Sequence, residues 1–315
     1  MRVLYVNEKN ANKRIDRYLS AVMPEVPFSL IQKTFRKKDV KVNGIRVKQD
    51  YVVAPGDRIE LYIADALLDE SVQRNADRQD KGFEPVYEDE NILIVNKKQG
   101  IPVHPDKDQS SGTLIDNVRK YLKEKSSPEA AISPFQPMLC HRLDRNTGGL
   151  VLIAKNQESL DILREKIETR EISKFYQCLV KGKPARDSAN LKAFLFKDES
   201  KSRVYISSNR TPGSLEIITK YRVVSYNPGL DISKLEVELV TGRTHQIRAH
   251  LAHIGHPVIG DGKYGSNAVN RPLGAKYQAL WAYKLDFDFK DAGQLNYLKG
   301  RTFEVKPEFN ILERM

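Results

Sequence analysis

The chain has 315 residues, 40% hydrophobic and 30% charged, with 18 glycines and 15 prolines. At roughly 100 to 200 residues per domain this length gives two domains, and the balance excludes a disordered or collagen-like chain. Lys and Arg number 52 against 41 Asp and Glu, a net charge of +11, which favours a polyanionic partner over a neutral small molecule.

Cys140 and Cys178 lie far apart without a C-x-x-C companion, which argues against a zinc ribbon, an iron–sulfur cluster or a disulfide framework and fits a reducing compartment. The first residues hold no apolar core of about 7 to 15 residues, and no run of about 18 apolar residues occurs. Export and membrane insertion are therefore not expected, and the cytoplasm is the expected location.

Residues 1–65 read as a small unit of two helices followed by strands. Ile15, Leu19 and Val22 give one helix an apolar face, closed by Pro24. Ser29 with Gln32 predicts a capping box for a second helix, with Leu30, Ile31, Thr34 and Phe35 on its buried side. Val40, Val42, Ile45 and Val47 flank Asn43-Gly44, a pair suited to a type I′ hairpin turn. After Gly56-Asp57, the alternation of Ile59, Leu61 and Ile63 predicts a further strand. The unit has 13 basic and 8 acidic side chains. Lys33, Arg36, Lys37, Lys38, Lys41, Arg46 and Lys48 cluster around a single acid, Asp39; the cluster is either a solvated face or a phosphate-contacting surface.

Residues 66–82 are polar, with no aromatic residue, and read as a linker. In residues 83–315, Ile92–Val95 and Leu150–Ile153 predict buried strands, Leu160, Leu163 and Ile167 a helix, and 175–180 a strand closed by Gly182 and Pro184. Leu235, Val237 and Leu239 alternate as another strand, while 124–137 and 196–214 read as polar surface loops. Periodicity supports mixed α and β structure without regular alternation.

Two stretches concentrate chemistry. Cys140-His141-Arg142-Leu143-Asp144-Arg145-Asn146-Thr147-Gly148-Gly149 sets one carboxylate between two arginines before a buried strand; positive neighbours favour the anion, and no second acid in the motif supplies a glycosidase pair. A plain β-turn aspartate fits the same residues. Thr241-Gly242-Arg243-Thr244-His245-Gln246-Ile247-Arg248 opens a helix, with Thr244 as its predicted cap, Ile247, Leu251 and Ile254 on its buried face, and free N–H groups that favour anions. The histidines at 245, 250, 253 and 256 lack a metal-ligand spacing.

Together these stretches resemble the RluA family of RNA pseudouridine synthases. The first family motif resembles Tyr87 through Lys97 with Gly100, Val103, His104 and Pro105; the second is similar to His141-Arg142-Leu143-Asp144 with Thr147 and Gly149. The third resembles Thr241 through Arg248 with Gly260-Asp261 and Tyr264-Gly265, and Lys174-Phe175-Tyr176 is similar to the family's Lys-x-Tyr. Residues 1–65 resemble an S4 RNA-binding domain, a common companion of the family's catalytic domain. Three positions depart from the family pattern: Lys98 in place of proline, Gly148 in place of serine, and Leu280-Trp281-Ala282 in place of Leu-His-Ala.

The resemblance implies an α+β chain with an S4-like domain at 1–65, a linker at 66–82, and a catalytic domain at 83–315 built on a mixed, largely antiparallel sheet with a central cleft. It implies isomerisation of uridine to pseudouridine in structured RNA, with ribosomal RNA favoured over tRNA, without cofactor or metal, by a monomer. Asp144 is then the catalytic aspartate, acting as nucleophile at C1′ or base at C2′, Arg248 its partner, and Tyr176 the platform for uracil. His141, Arg142, Arg145, Thr147, Arg243, His245 and Gln246, with Lys33, Arg36, Lys37, Lys38 and Lys41, are the expected RNA contacts, and Arg142 or His141 would fill the gap left by an extruded base. A non-catalytic RNA-binding or ribosome-assembly factor, and a metal-dependent hydrolase built on the four histidines, are the competing readings.

Overall fold

The computed structural model describes residues 2–23, 28–62, 81–105, 109, 111–125 and 135–309. The chain divides into two compact units, Met1–Asp80 and Lys81–Met315.

The smaller unit holds strand β1 (Arg2–Tyr5), helices α1 (Ile15–Val22) and α2 (Phe28–Arg36), and strands β2 (Val40–Val42), β3 (Ile45–Arg46) and β4 (Arg58–Leu61). The strands form one antiparallel sheet in the order β1-β4-β2-β3. Ile15 and Leu19 from α1, Ile31 from α2, and Val40, Ile59 and Leu61 from the sheet are fully buried together. Asn43 and Gly44 take φ of 51° and 82°, the positive pair that a type I′ hairpin requires. Helix α2 begins at Phe28, and the Ser29 side chain of the expected capping box lies outside the described residues. Strand β1 was not expected. Ile63, Pro24 and residues 66–80 of the expected linker lie outside the described residues. Lys81 and Gly82, expected in the linker, are tied to the larger unit: Asn117 donates to the Lys81 carbonyl and Lys98 N–H to that of Gly82.

The larger unit contains β5 (Phe83–Glu88), β6 (Ile92–Lys97), α3 (Leu114–Lys125), β7 (Met138–Leu139), β8 (Gly148–Ala154), α4 (Gln157–Glu168), β9 (Ile172–Lys181), β10 (Ser188–Asp198), β11 (Arg203–Ser207), β12 (Leu215–Asn227), β13 (Ile232–Leu239), α5 (Gln246–His253), β14 (Leu280–Phe287) and β15 (Thr302–Glu304). Eleven of these strands form one mixed sheet in the order β11-β10-β12-β13-β9-β14-β8-β6-β5, with β15 on β14 and β7 on β8. Only the β14–β8 pair is parallel. Strands β6 and β8 are buried on both faces. Leu93, Val95, Val151 and Ile153 pack with α3, while Ile92, Ile94, Leu150 and Leu152 pack with α4. That explains why both strands read as unbroken apolar runs rather than alternating ones.

The segment 196–214, expected as loop, contains the end of β10 and all of β11, which pair over Phe194–Asp198 and Arg203–Ser207. Its Lys, Asp and Ser content masks a hairpin of which only one face is covered. Within 124–137, residues 124 and 125 end α3, and 126–134 lie outside the described residues.

Two of the departures from the family pattern compensate each other. Gly148 and Gly149 stand beside Trp281 and Ala282 at the parallel junction. A Cβ at Gly148 would fall 2.4 Å from the Trp281 indole, so the tryptophan occupies space that a serine at 148 would need. Gly149 has φ of +113°, and a Cβ there would fall 2.1 Å from the Ala282 carbonyl oxygen. The strand that follows Asp144 can therefore enter the sheet only as glycine.

Candidate active site

Asp144 lies in the loop between β7 and β8, in a turn closed by Thr147 N–H donating to its carbonyl at 3.0 Å. The loop after β6 holds that turn in place. Lys97, fully buried at the end of β6, donates through Nζ to the carbonyls of Lys98 (2.9 Å), Ile101 (2.9 Å) and Arg145 (3.0 Å). Burial pushes its pKa down to about 7, against the pull of the Asp144 charge. Gln99 donates to the carbonyls of Asn146 and Gln278 at 2.9 and 2.7 Å, and Gly100 N–H donates to that of Arg145 at 2.9 Å. The Arg145 and Asn146 carbonyls of the Asp144 loop thus take donors from Lys97, Gly100 and Gln99.

From the other side comes α5. Arg248 Nη1 donates to Asp144 Oδ2 at 2.7 Å, while its Nε and Nη2 form a two-point contact with Asp261 at 2.7 and 2.9 Å. Asp261 is fully buried and also accepts from the N–H groups of Lys263 and Tyr264. Burial raises its pKa, but the Arg248 hydrogen bonds and charge outweigh this and hold it below the ordinary carboxylate value. Burial likewise pulls Arg248 down, and its two carboxylates more than reverse the effect. The guanidinium is locked by one carboxylate and aimed by its free edge at the other. Its plane also lies 5.3 Å from the Tyr264 ring.

His245 precedes α5 with φ of 53°, a left-handed conformation that costs a non-glycine residue about 1 kcal/mol. That backbone places its Nδ1 3.0 Å from the Tyr264 hydroxyl and its Nε2 4.0 Å from Asp144 Oδ2. Tyr264 Oη also accepts from Val204 N–H at 3.0 Å, which ties the His245 ring to β11. Burial lowers the His245 pKa, with Asp144 opposing.

A cavity of about 490 Å³ opens over Asp144 and is lined by Tyr176, Arg142, Arg243, His245, Arg248 and Leu280 among others. Tyr176, on β9, is buried, and burial together with the Asp144 charge raises its phenol pKa above the ordinary value. Asp144, Tyr176 and Arg248 are thus brought to one cavity from three separate parts of the chain.

The other expected contacts divide. Arg142 and Arg243 are exposed on the lining of the cavity. His141 also lines it, but its Nε2 accepts from Leu152 N–H at 3.2 Å, and burial pushes its pKa down to about 3; a ring held to β8 is not free to enter an RNA helix. Thr147 is buried, its hydroxyl accepting from Gln278 at 2.7 Å, and so fixes the turn. Arg145 is outside the lining and contributes its carbonyl to Lys97.

Gln246 is buried, with both ends of its amide used internally. Oε1 accepts from Arg243 N–H and the Thr241 hydroxyl, and Nε2 donates to Ile218 O and Thr219. The predicted cap Thr244 is exposed; the residue before the helix is His245, and no side chain caps the first turn. Arg36, Lys37 and Lys38 are exposed on the smaller unit, Lys41 lies 5.1 Å from the Tyr62 ring, and the Lys33 side chain lies outside the described residues. Sequence reasoning missed Asp261 as the anchor of Arg248, and Arg170 and Lys174 as lining residues.

Among the described residues no three His, Cys, Asp or Glu side chains converge as metal ligands. His245, His250 and His256 are engaged separately, with Tyr264, Thr219 and the Lys181 carbonyl. No described helix is long and apolar enough to cross a membrane.

A mixed, largely antiparallel sheet thus carries the Asp144–Arg248 pair in the lining of a cavity that also holds Arg142, Arg170, Lys174 and Arg243. The RNA pseudouridylate synthase family matches residues 91–253. The chain is 32% identical to an RNA pseudouridine synthase of Aquifex aeolicus, over 93% of this chain and 91% of that one. To the ribosomal large subunit pseudouridine synthase C of Haemophilus influenzae it is 31% identical, over 93% and 89%. Human RNA pseudouridylate synthase domain containing 4 shares the fold, with a TM-score of 0.58 at 21% identity, over 75% of this chain and 92% of that one. The chain belongs to the RNA pseudouridylate synthase family and is an isomerase that acts on RNA. The non-catalytic and metal-hydrolase readings are set aside by this membership.

Proposed function

We propose that this enzyme converts one or more uridines of large-subunit ribosomal RNA to pseudouridine, acting as a cytoplasmic monomer, with Asp144 as the reacting carboxylate. The observation that carries the reading is the 2.7 Å pair between Arg248 Nη1 and Asp144 Oδ2 in a cavity walled by Tyr176. The reaction breaks the bond between uracil N1 and ribose C1′ and joins C5 to C1′, with no net oxidation or reduction. One oriented oxygen suffices to begin it, either by attacking C1′ or by removing the C2′ proton. Arg248 binds one carboxylate oxygen and leaves the other to face the ribose. Tyr176 supplies a flat wall against which the detached uracil turns, and its hydroxyl is suited to the C5 proton in the last step. Arg142, exposed at the rim, is suited to fill the stack when the uridine is extruded.

The ribosomal target is drawn from the name of the Haemophilus relative and from the smaller unit, which we read as an S4 RNA-binding domain. Two helices set on a four-stranded sheet, with Arg36, Lys37 and Lys38 exposed at the end of α2, suit a phosphate-contacting surface. Mapping pseudouridines in large-subunit RNA from cells lacking the protein tests the assignment. At least one site should disappear and return with the wild-type chain but not with Asp144→Asn; retention of every site would refute it.

A further inference from the structure

One stretch of the cavity lining, from the end of α4 to the start of β9, includes charged side chains with no role in the chemistry above. Arg170, in the turn between α4 and β9, and Lys174, near the start of β9, line the same cavity as Asp144 and Tyr176. Among the described residues neither the Arg170 guanidinium nor the Lys174 ammonium makes a hydrogen bond or ion pair. Glu168 shares the turn and the lining, yet pairs with neither. Lys174 is half-buried, and its loss of solvent disfavours the charged form. A cation placed in such a position without a partner is costly unless a bound anion completes it.

Arg170 carries a second sign of the same kind. It follows α4 with φ of 65°. Glu171 N–H donates to Lys166 O at 2.8 Å and Arg170 N–H to Ile167 O at 3.3 Å. This is the helix-ending geometry in which glycine is favoured and an arginine is strained. The side chain is exposed and lines the cavity.

We propose that the α4–β9 turn is a phosphate subsite in which Arg170 and Lys174 hold a backbone phosphate adjoining the reacting uridine. The inference rests on the reading of Asp144 as the group that meets the ribose, because a ribose there carries its 3′ and 5′ phosphates toward the walls. Two cations on one wall and Asp144 with Arg248 on the other would fix the sugar from both sides, so that orientation of C1′ does not depend on uracil stacking alone.

The test is calorimetric titration of the full chain with uridine, with uridine 3′,5′-bisphosphate, and with inorganic phosphate. The bisphosphate should bind at least about tenfold more tightly than either other probe. Arg170→Gly and Lys174→Met should each remove most of that advantage. Arg170→Gly should also leave the thermal midpoint unchanged or raised, because glycine relieves the strained φ. A bisphosphate that binds no better than uridine, an advantage that survives both substitutions, or inorganic phosphate that binds as tightly as the bisphosphate would each overturn the proposal. The titration needs no turnover, so its failure leaves the role of Asp144 standing. Normal activity in Asp144→Asn would remove that role without touching the titration.

Discussion

The two walls of the cavity solve opposite problems. On the Arg248 wall the charges are already matched inside the protein: Asp261 holds two edges of the guanidinium and Asp144 the third. Lys97, behind the same loop, spends all three of its protons on carbonyls. On the α4–β9 wall the Arg170 guanidinium and the Lys174 ammonium have no partner among the described residues. Chemistry gains from groups that do not reorganise when the transition state forms, so the catalytic wall is satisfied in advance. Recognition of a polyanion gains from charges that the substrate completes.

The comparison can be broken most severely at Asp261. Asp261→Asn removes the buried charge that anchors Arg248, and a stability loss of about 3 to 5 kcal/mol is expected in chemical denaturation. A change under 1 kcal/mol would mean that the pair is not needed to hold α5.

Acid should loosen the same wall by a smaller amount. Burial pushes His250 down to about 4 and His141 down to about 3, both from an ordinary 6.5. The unfolded chain therefore takes up protons that the folded chain refuses. Stability should be whole above pH 6.5 and fall steadily toward pH 4, and His250→Gln should flatten part of that slope in thermal melts. Lys97→Met should cost about 1 to 3 kcal/mol, because the Lys98, Ile101 and Arg145 carbonyls lose the Nζ donor, that of Arg145 keeping Gly100 N–H. It should also lower kcat more than it raises KM, whereas equal effects on both would argue against a role in placing Asp144. Arg142→Ala tests the unmatched charges at the rim and should change stability by less than about 0.5 kcal/mol while raising KM for RNA.

The matched wall was legible in the sequence to a greater extent than the open one. Asp144 and Arg248 lie 104 positions apart, and nothing in periodicity joins them; the motifs that carry the family resemblance did. The continuous apolar runs at 92–95 and 150–153 marked strands covered on both faces, as observed. Gln246 was read as an RNA contact because a polar residue in a basic motif looks available, and only the fold reveals that its amide is consumed by Thr241, Arg243 and Thr219. His141 was read as an RNA contact from its place beside Asp144, and the fold shows its Nε2 taken by Leu152 N–H. The β10–β11 hairpin was hidden because its connecting residues are those of a loop and its outer face is exposed, with Phe196 and Tyr205 opposite each other. Arg170 and Lys174 were missed because what distinguishes them is the lack of a partner, a property of the folded chain that no local pattern encodes.

The central claim is that Asp144, held by Arg248, begins the reaction at the ribose. It is tested most directly by tritium release from ribosomal RNA labelled at uridine C5, measured for the wild type and for Asp144→Asn at equal folded concentration. The account predicts release by the wild type and a fall of about 10³-fold or more in the variant with an unchanged thermal midpoint. Release at the wild-type rate from Asp144→Asn would contradict it.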